Sequence, residues 1–126
     1  MEKQLIGTWT LDSFQIESPE GVKRAWGNGI HGLLIYADTG HMSVSINKDV
    51  VKESENELED LFDSILFYAG TYTVEGTLIR HQVSEASNPT RIGKEMLRYA
   101  ETQGNTITLT TPKESFGRAI LVWRKV

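Results

Sequence analysis

Apolar and polar residues alternate along most of this chain with a period of two, the spacing that sends every second side chain of a strand to one face of a sheet. Leu5, Gly7, Trp9 and Leu11 alternate with Thr8, Thr10 and Asp12, after which Phe14 and Ile16 carry the apolar face on the opposite parity. A parity switch inside one strand predicts an extra residue, a bulge near Asp12-Ser13 that bends the strand. Ser18-Pro19-Glu20-Gly21 is turn chemistry, and residues 22–26 predict a short return strand. Gly27, Gly29 and Gly32 precede the apolar run Leu33-Leu34-Ile35-Tyr36. Asp38-Thr39-Gly40 fits a three-residue hairpin loop with glycine in the left-handed position. Pairing Ala37 with His41 then sets Tyr36 against Met42 and Leu34 against Val44, giving an apolar face of Leu34, Tyr36, Met42, Val44 and Ile46.

The period changes once. Ser54 and Glu57 form a capping box, and Leu58, Leu61, Phe62, Ile65 and Leu66 share one helical face, which predicts a short amphipathic helix near residues 55–66. Its acidic side reads as a solvated face. A sharper alternative makes it a lid, with Phe62 and Leu66 plugging the open end of a barrel.

Residues 68–89 return to the strand period and hold the most site-like group in the chain. Tyr68, Gly70, Tyr72 and Val74 share one parity, and Ile79, His81 and Val83 another. A tight loop at Glu75-Gly76 pairs Tyr72 with Ile79 and Gly70 with His81, gathering both tyrosines and His81 on one face. A three-residue loop ending at Gly76 pairs Gly70 with Arg80 and moves His81 to the other face, since a slip of one residue inverts every side chain. The first register collects more apolar residues on one side. Residues 94–101 and 106–111 form a further hairpin about Gln103-Gly104-Asn105. Pairing Glu101 with Asn105 sets Leu97 and Tyr99 across from Leu109 and Ile107 with Arg98 outward; pairing Thr102 with Asn105 turns Arg98 inward. A last strand, 118–126, carries Leu121, Trp123 and Lys125 on one face. About nine short strands with turns between them and one helix predict an all-β protein, a closed antiparallel up-and-down barrel of about 8–10 strands.

Composition narrows what such a barrel can do. A chain of 126 residues suffices for one domain, 1–126, with its own core. It has no cysteine, which excludes thiolate metal sites, cysteine nucleophiles and disulfides. The net charge of −4 is uneven: between Asp49 and Asp63 seven acids and one lysine give −6, leaving about +2 elsewhere. No basic stripe addresses nucleic acid or an anionic membrane. Without an apolar leader or a membrane-length apolar run, the expectation is a soluble cytoplasmic protein.

Several segments, in their order and spacing, resemble the lipocalin-like domain family of bacteria and fungi. They are Leu5-Ile6-Gly7-Thr8-Trp9, Gly32-Leu33-Leu34-Ile35-Tyr36 with Gly40-His41-Met42-Ser43, Tyr68-Ala69-Gly70-Thr71-Tyr72, His81 with Ser87-Asn88-Pro89, Arg98-Tyr99, Leu109-Thr110-Thr111-Pro112 and Leu121-Val122-Trp123-Arg124. The resemblance covers nearly the whole chain and implies a calycin-type barrel with an interior pocket, similar to lipocalins and fatty-acid-binding proteins. Gly7-Thr8-Trp9 is similar to the lipocalin glycine-any-tryptophan motif, which implies a structural floor in which Arg124, or else Arg118, packs over Trp9. The family often has a tryptophan shortly after Asn-Pro. This chain has Thr90-Arg91-Ile92 there, which implies a more polar pocket mouth.

The chemistry left to test is confined to the barrel interior. His31, His41 and His81 are scattered and show no paired metal-ligand spacing, so neither a metal nor a cofactor is expected. No nucleophile elbow or phosphate loop occurs. The first expectation is a binding protein for a small apolar or weakly polar molecule, lined by Tyr36, Met42, Phe62, Tyr68, Tyr72, Leu97 and Tyr99, with His81 orienting the ligand. The alternative is a cofactor-free isomerase or cyclase, with His81 as general acid or base and Tyr68 or Tyr72 polarising an oxygen. The enzyme needs a polar partner for His81, for which Glu85 and Arg98 are candidates. For His81 the plain alternative is a core histidine satisfied by its neighbours, and for the tyrosines it is wall packing.

Overall fold

A computed structural model of the chain describes residues 2–49 and 64–126. A short helix, α1 (Glu2–Leu5), leads into nine strands: β1 (Gly7–Glu17), β2 (Lys23–Ala25), β3 (His31–Tyr36), β4 (His41–Asn47), β5 (Ile65–Glu75), β6 (Leu78–Ala86), β7 (Glu95–Gln103), β8 (Thr106–Thr110) and β9 (Arg118–Lys125). A 3-10 turn (Pro89–Arg91) capped by Asn88 joins β6 to β7. From β3 onward each strand pairs antiparallel with the next, and β1 pairs with both β3 and β9, so the sheet closes into a barrel with β2 as an extra strand. Closure satisfies both edges of the sheet at once.

The strands follow the alternation in the sequence. In β1, Trp9 and Phe14 are both buried although five positions apart, because the register against β9 shifts between Leu11 and Ser13. This is the bulge that the parity switch predicted. Between β3 and β4 the pairs Tyr36 with Met42, Leu34 with Val44 and Ile35 with Ser43 form as expected, and Gly40 takes φ 86°.

The hairpin β5–β6 pairs differently from both expected registers. Glu75 faces Leu78, Val74 faces Ile79 and Tyr72 faces His81, so the two loop residues are Gly76 and Thr77. Gly76 takes φ 62°, and a glycine with positive φ at the first loop position suits the right-handed twist of the strands. The shift from the preferred register is two residues, so the facing survives and Tyr68, Tyr72 and His81 are all buried inside. The hairpin β7–β8 does the same: Gln103 pairs with Thr106 around Gly104-Asn105, with Gly104 at φ 59°. Here the outcome is a correction, because Ala100 then faces Leu109 in the interior and Tyr99 points outward, 50 % exposed. Arg98, on the parity of Ala100, belongs to the inner face.

Two further expectations change. Of the helix foreseen near 55–66, residues 55–63, Phe62 among them, lie outside the described residues. Ile65 and Leu66 open β5, paired with Asn47 and Ile46, because the alternation Leu66, Tyr68, Gly70, Tyr72 already belongs to the strand. At the barrel floor, Leu5 is fully buried in α1 and its carbonyl accepts the Trp9 indole N–H at 2.9 Å. The cation over that indole is Lys125, with Nζ 5.3 Å from the ring centroid. Arg124 does not fill that role: Trp9 pairs with Lys125, so the neighbouring Arg124 faces outward and bridges Asp12 at 2.8 Å.

Gly70 sits at a second bulge, where the β5–β6 register shifts between Ala69 and Gly70. A Cβ at Gly70 would lie 1.8 Å from the carbonyl oxygen of Gln82. Gly70→Ala must therefore force β5 from β6, and we expect it to cost about 2–3 kcal/mol in urea unfolding. An unchanged midpoint would show that the strands part freely there.

Candidate functional site

The two halves of the barrel are filled differently. Towards the end closed by α1, Trp9, Tyr36, Met42, Tyr72 and Ile79 pack as a solid core. Towards the other end the inward side chains leave a cavity of about 480 Å³. Phe14, Leu34, Val44, Leu109 and Leu121 supply apolar wall, and the half-exposed Phe116 stands at the opening. Trp26 also lines it, stacked on Phe14 with centroids 4.7 Å apart and capped by Lys48 Nζ at 4.3 Å.

His81 lies where the packed and hollow halves meet, 2 % exposed. Its Nε2 is 2.6 Å from the Tyr36 hydroxyl and its Nδ1 is 2.7 Å from the Tyr68 hydroxyl, so both ring nitrogens are engaged. A neutral imidazole donates at one nitrogen and accepts at the other, which the two hydroxyls can complement. Burial, and then the positive charge of Arg98, push the His81 pKa down to about 3. Burial likewise raises Tyr36 and Tyr68, with Arg98 opposing the rise in each. At neutral pH the group is an uncharged Tyr–His–Tyr chain held beside a cation.

That cation has no acid of its own. Arg98 lines the cavity and donates to the Leu97 carbonyl at 2.7 Å, yet among the described residues no carboxylate forms an ion pair with it. Trp123 lines the cavity too, and its buried indole N–H has no acceptor among the described residues.

A profile of the lipocalin-like domain matches residues 6–126. The chain belongs to that family. Curated proteins yield no match. Among solved structures, a redesigned β-barrel aligns with TM-score 0.52 and 8 % identity over 99 % of this chain and 94 % of its own. A mutant of the fluorescent protein UnaG aligns with TM-score 0.50 and 13 % identity over 100 % and 99 %. Fatty-acid-binding protein 1 of Echinococcus granulosus aligns at 18 % identity over 98 % of each chain, with TM-score 0.48. At these identities the first two likenesses establish the barrel fold alone.

In this lipocalin-like domain the residues nominated from sequence divide into three groups. His81 and Tyr68 meet and line the cavity, whereas Leu97, on the outward parity of Tyr99 and paired with Arg80, only borders it, and Met96 is the neighbour that packs against the core. Tyr36 touches His81 from behind, while Met42 and Tyr72 are floor packing; the Tyr72 hydroxyl donates to the Ala37 carbonyl at 2.9 Å and does not reach the imidazole. Tyr99 is outside, and Phe62 is outside the described residues. Of the partners suggested for His81, Arg98 acts on it through its charge, whereas Glu85 is exposed and bonded to Ser84. Phe14, Trp26 and Trp123 were absent from the expected wall. Their signal was present for Trp123 in the parity of the last strand, but for Trp26 it depends on β2 folding back onto β1. His31 and His41 are exposed and bonded to the Gly29 carbonyl and the Thr39 hydroxyl, and no group of three metal-ligating side chains occurs among the described residues.

The buried histidine fixes a pH dependence. Between its folded pKa of about 3 and its ordinary value of 6.5, only the unfolded chain binds the proton. The stabilisation is complete above about pH 6.5 and is lost as pH falls towards about 3, at about 1.4 kcal/mol per pH unit. Urea unfolding between pH 7 and 5 should show this slope in the parent and lack it in His81→Gln; equal slopes would mean that His81 protonates freely in the folded state.

Proposed function

We propose that residues 1–126 act as one binding domain that holds a small, largely apolar molecule inside the barrel, with His81 and Tyr68 orienting its polar part. The observation that carries this reading is the cavity of about 480 Å³ above a solid floor, walled largely by aliphatic and aromatic side chains, with Tyr68, His81 and Arg98 among the polar groups on its lining. Natural small-molecule pockets have this composition and this range of volume. Membership of the lipocalin-like family supports it.

Catalysis by His81 gains no comparable support. A general base works best with a pKa near the operating pH, and burial beside Arg98 has moved this one far below it. Both of its nitrogens are already bonded to tyrosines, which suits a fixed hydrogen-bonding element. A cytoplasmic ligand carrier is the role that joins this pocket to the sequence-based expectation about location.

Ala119 lies on the inner face of β9 and lines the cavity. In Ala119→Phe the added ring enters empty space, so we expect an almost unchanged melting temperature. Affinity for the neutral fluorophore N-phenyl-1-naphthylamine should fall at least tenfold in a fluorescence titration. Failure of the parent protein to bind the fluorophore, or equal binding by the variant, would place any ligand elsewhere.

A further inference from the structure

We propose that the polar end of the cavity is a carboxylate site, in which Arg98 and Tyr68 hold the anionic head of an otherwise apolar acid and His81 sets the direction in which Tyr68 donates. The inference rests on the small-molecule reading above and adds the chemistry of the ligand's head.

It begins with the two ways of placing one proton on His81. If Nε2 carries it, Tyr36 accepts, and the Tyr36 hydroxyl proton must find another acceptor. Tyr36 is 1 % exposed, does not line the cavity and has no second hydrogen-bond partner among the described residues. A buried donor with no acceptor has lost its hydration for nothing in return. If Nδ1 carries the proton, Tyr36 donates to Nε2 at 2.6 Å and Tyr68 accepts from Nδ1 at 2.7 Å. The proton left over then belongs to Tyr68, which lines the cavity and can direct it inward. The second arrangement strands no buried donor.

The same wall supplies further donors. Arg98 stands close enough to Tyr68 to act on it as a charge and as a hydrogen-bond donor, and Arg91 adds a second positive charge near that hydroxyl. Guanidinium nitrogens have no acceptor capacity, and the unpartnered indole N–H of Trp123 has none either. Acceptors on this wall are already engaged: Glu95 takes bonds from Arg80 and Gln82, each at 2.7 Å, and the Thr111 hydroxyl takes one from the Ala119 amide at 2.8 Å. Glu114, the other acid on the lining, is an exposed residue of the loop before β9. A carboxylate accepts only, matches the guanidinium fork and forms charge-assisted bonds. An alcohol of the same length meets the same donors with weaker bonds, and an amine meets repulsion.

Isothermal calorimetry with decanoate and decanol on the intact chain tests this. The expected result is decanoate binding at least tenfold tighter than decanol, with the ratio falling to about one in Arg98→Met and staying above one in Arg98→Lys. Equal affinities in the parent protein, while N-phenyl-1-naphthylamine still binds, would overturn the carboxylate site and leave the small-molecule reading standing. Loss of fluorophore binding as well would remove both. The tautomer is checked separately by ¹⁵N NMR of the ligand-free protein, where the Nδ1–H form of His81 is expected and an Nε2–H form would overturn its directing role.

Discussion

Strand β1 hydrogen-bonds along one edge to β9 and along the other first to β3 and then to β2, and the position of every other strand follows from that closure. A strand that serves two neighbours on one edge must bend, and the register shift between Leu11 and Ser13 is where it does so. The bend also keeps Trp9 and Phe14 inside together. One lies in the floor and the other in the cavity wall, so the same irregularity closes the barrel and separates its solid end from its hollow end.

At the border between those ends the chain buries its most polar interior group. An imidazole taken out of water is stable only if both nitrogens find partners, and Tyr36 from β3 and Tyr68 from β5 provide them. The registers at Gly76 and at the Ala69/Gly70 bulge bring these strands into phase. Burial alone favours the neutral ring, and Arg98 pushes the same way. Arg98 is therefore more than a neighbour: a protonated His81 would meet its repulsion, so its charge helps keep the ring neutral.

Much of this architecture was legible in the residues. Alternation fixed the faces, Asp38-Thr39-Gly40 fixed one hairpin, and the parity switch located a bulge. What was misread came from loop geometry of one or two residues. Gly76 and Gly104 each open a two-residue loop; the first hairpin is expected one residue early, and the second is expected with a three-residue loop between Glu101 and Asn105. In the first hairpin an even shift left His81 inside. In the second, the preferred pairing had the wrong parity, so Tyr99 was assigned to the pocket and Arg98 to the surface. The exchange of Arg124 for Lys125 over Trp9 has the same origin, since period-two side chains turn an error of one residue into an error of face. The distinction between floor and wall was beyond the sequence altogether. Tyr36, Met42 and Tyr72 share the inner face with Tyr68, and only their place in the packed cluster away from the cavity makes them floor.

The hollow half gives the chain a latitude that the solid half lacks. Leu5, Trp9 and the residues around them touch one another on all sides, so changing any of them disturbs a mutual fit. Positions such as Ala119 or Val44 face empty space on one side and can be exchanged with little loss of contact. A barrel built this way separates the residues that hold its shape from those that shape its cavity: a substitution in the upper wall can alter the cavity without disturbing the floor.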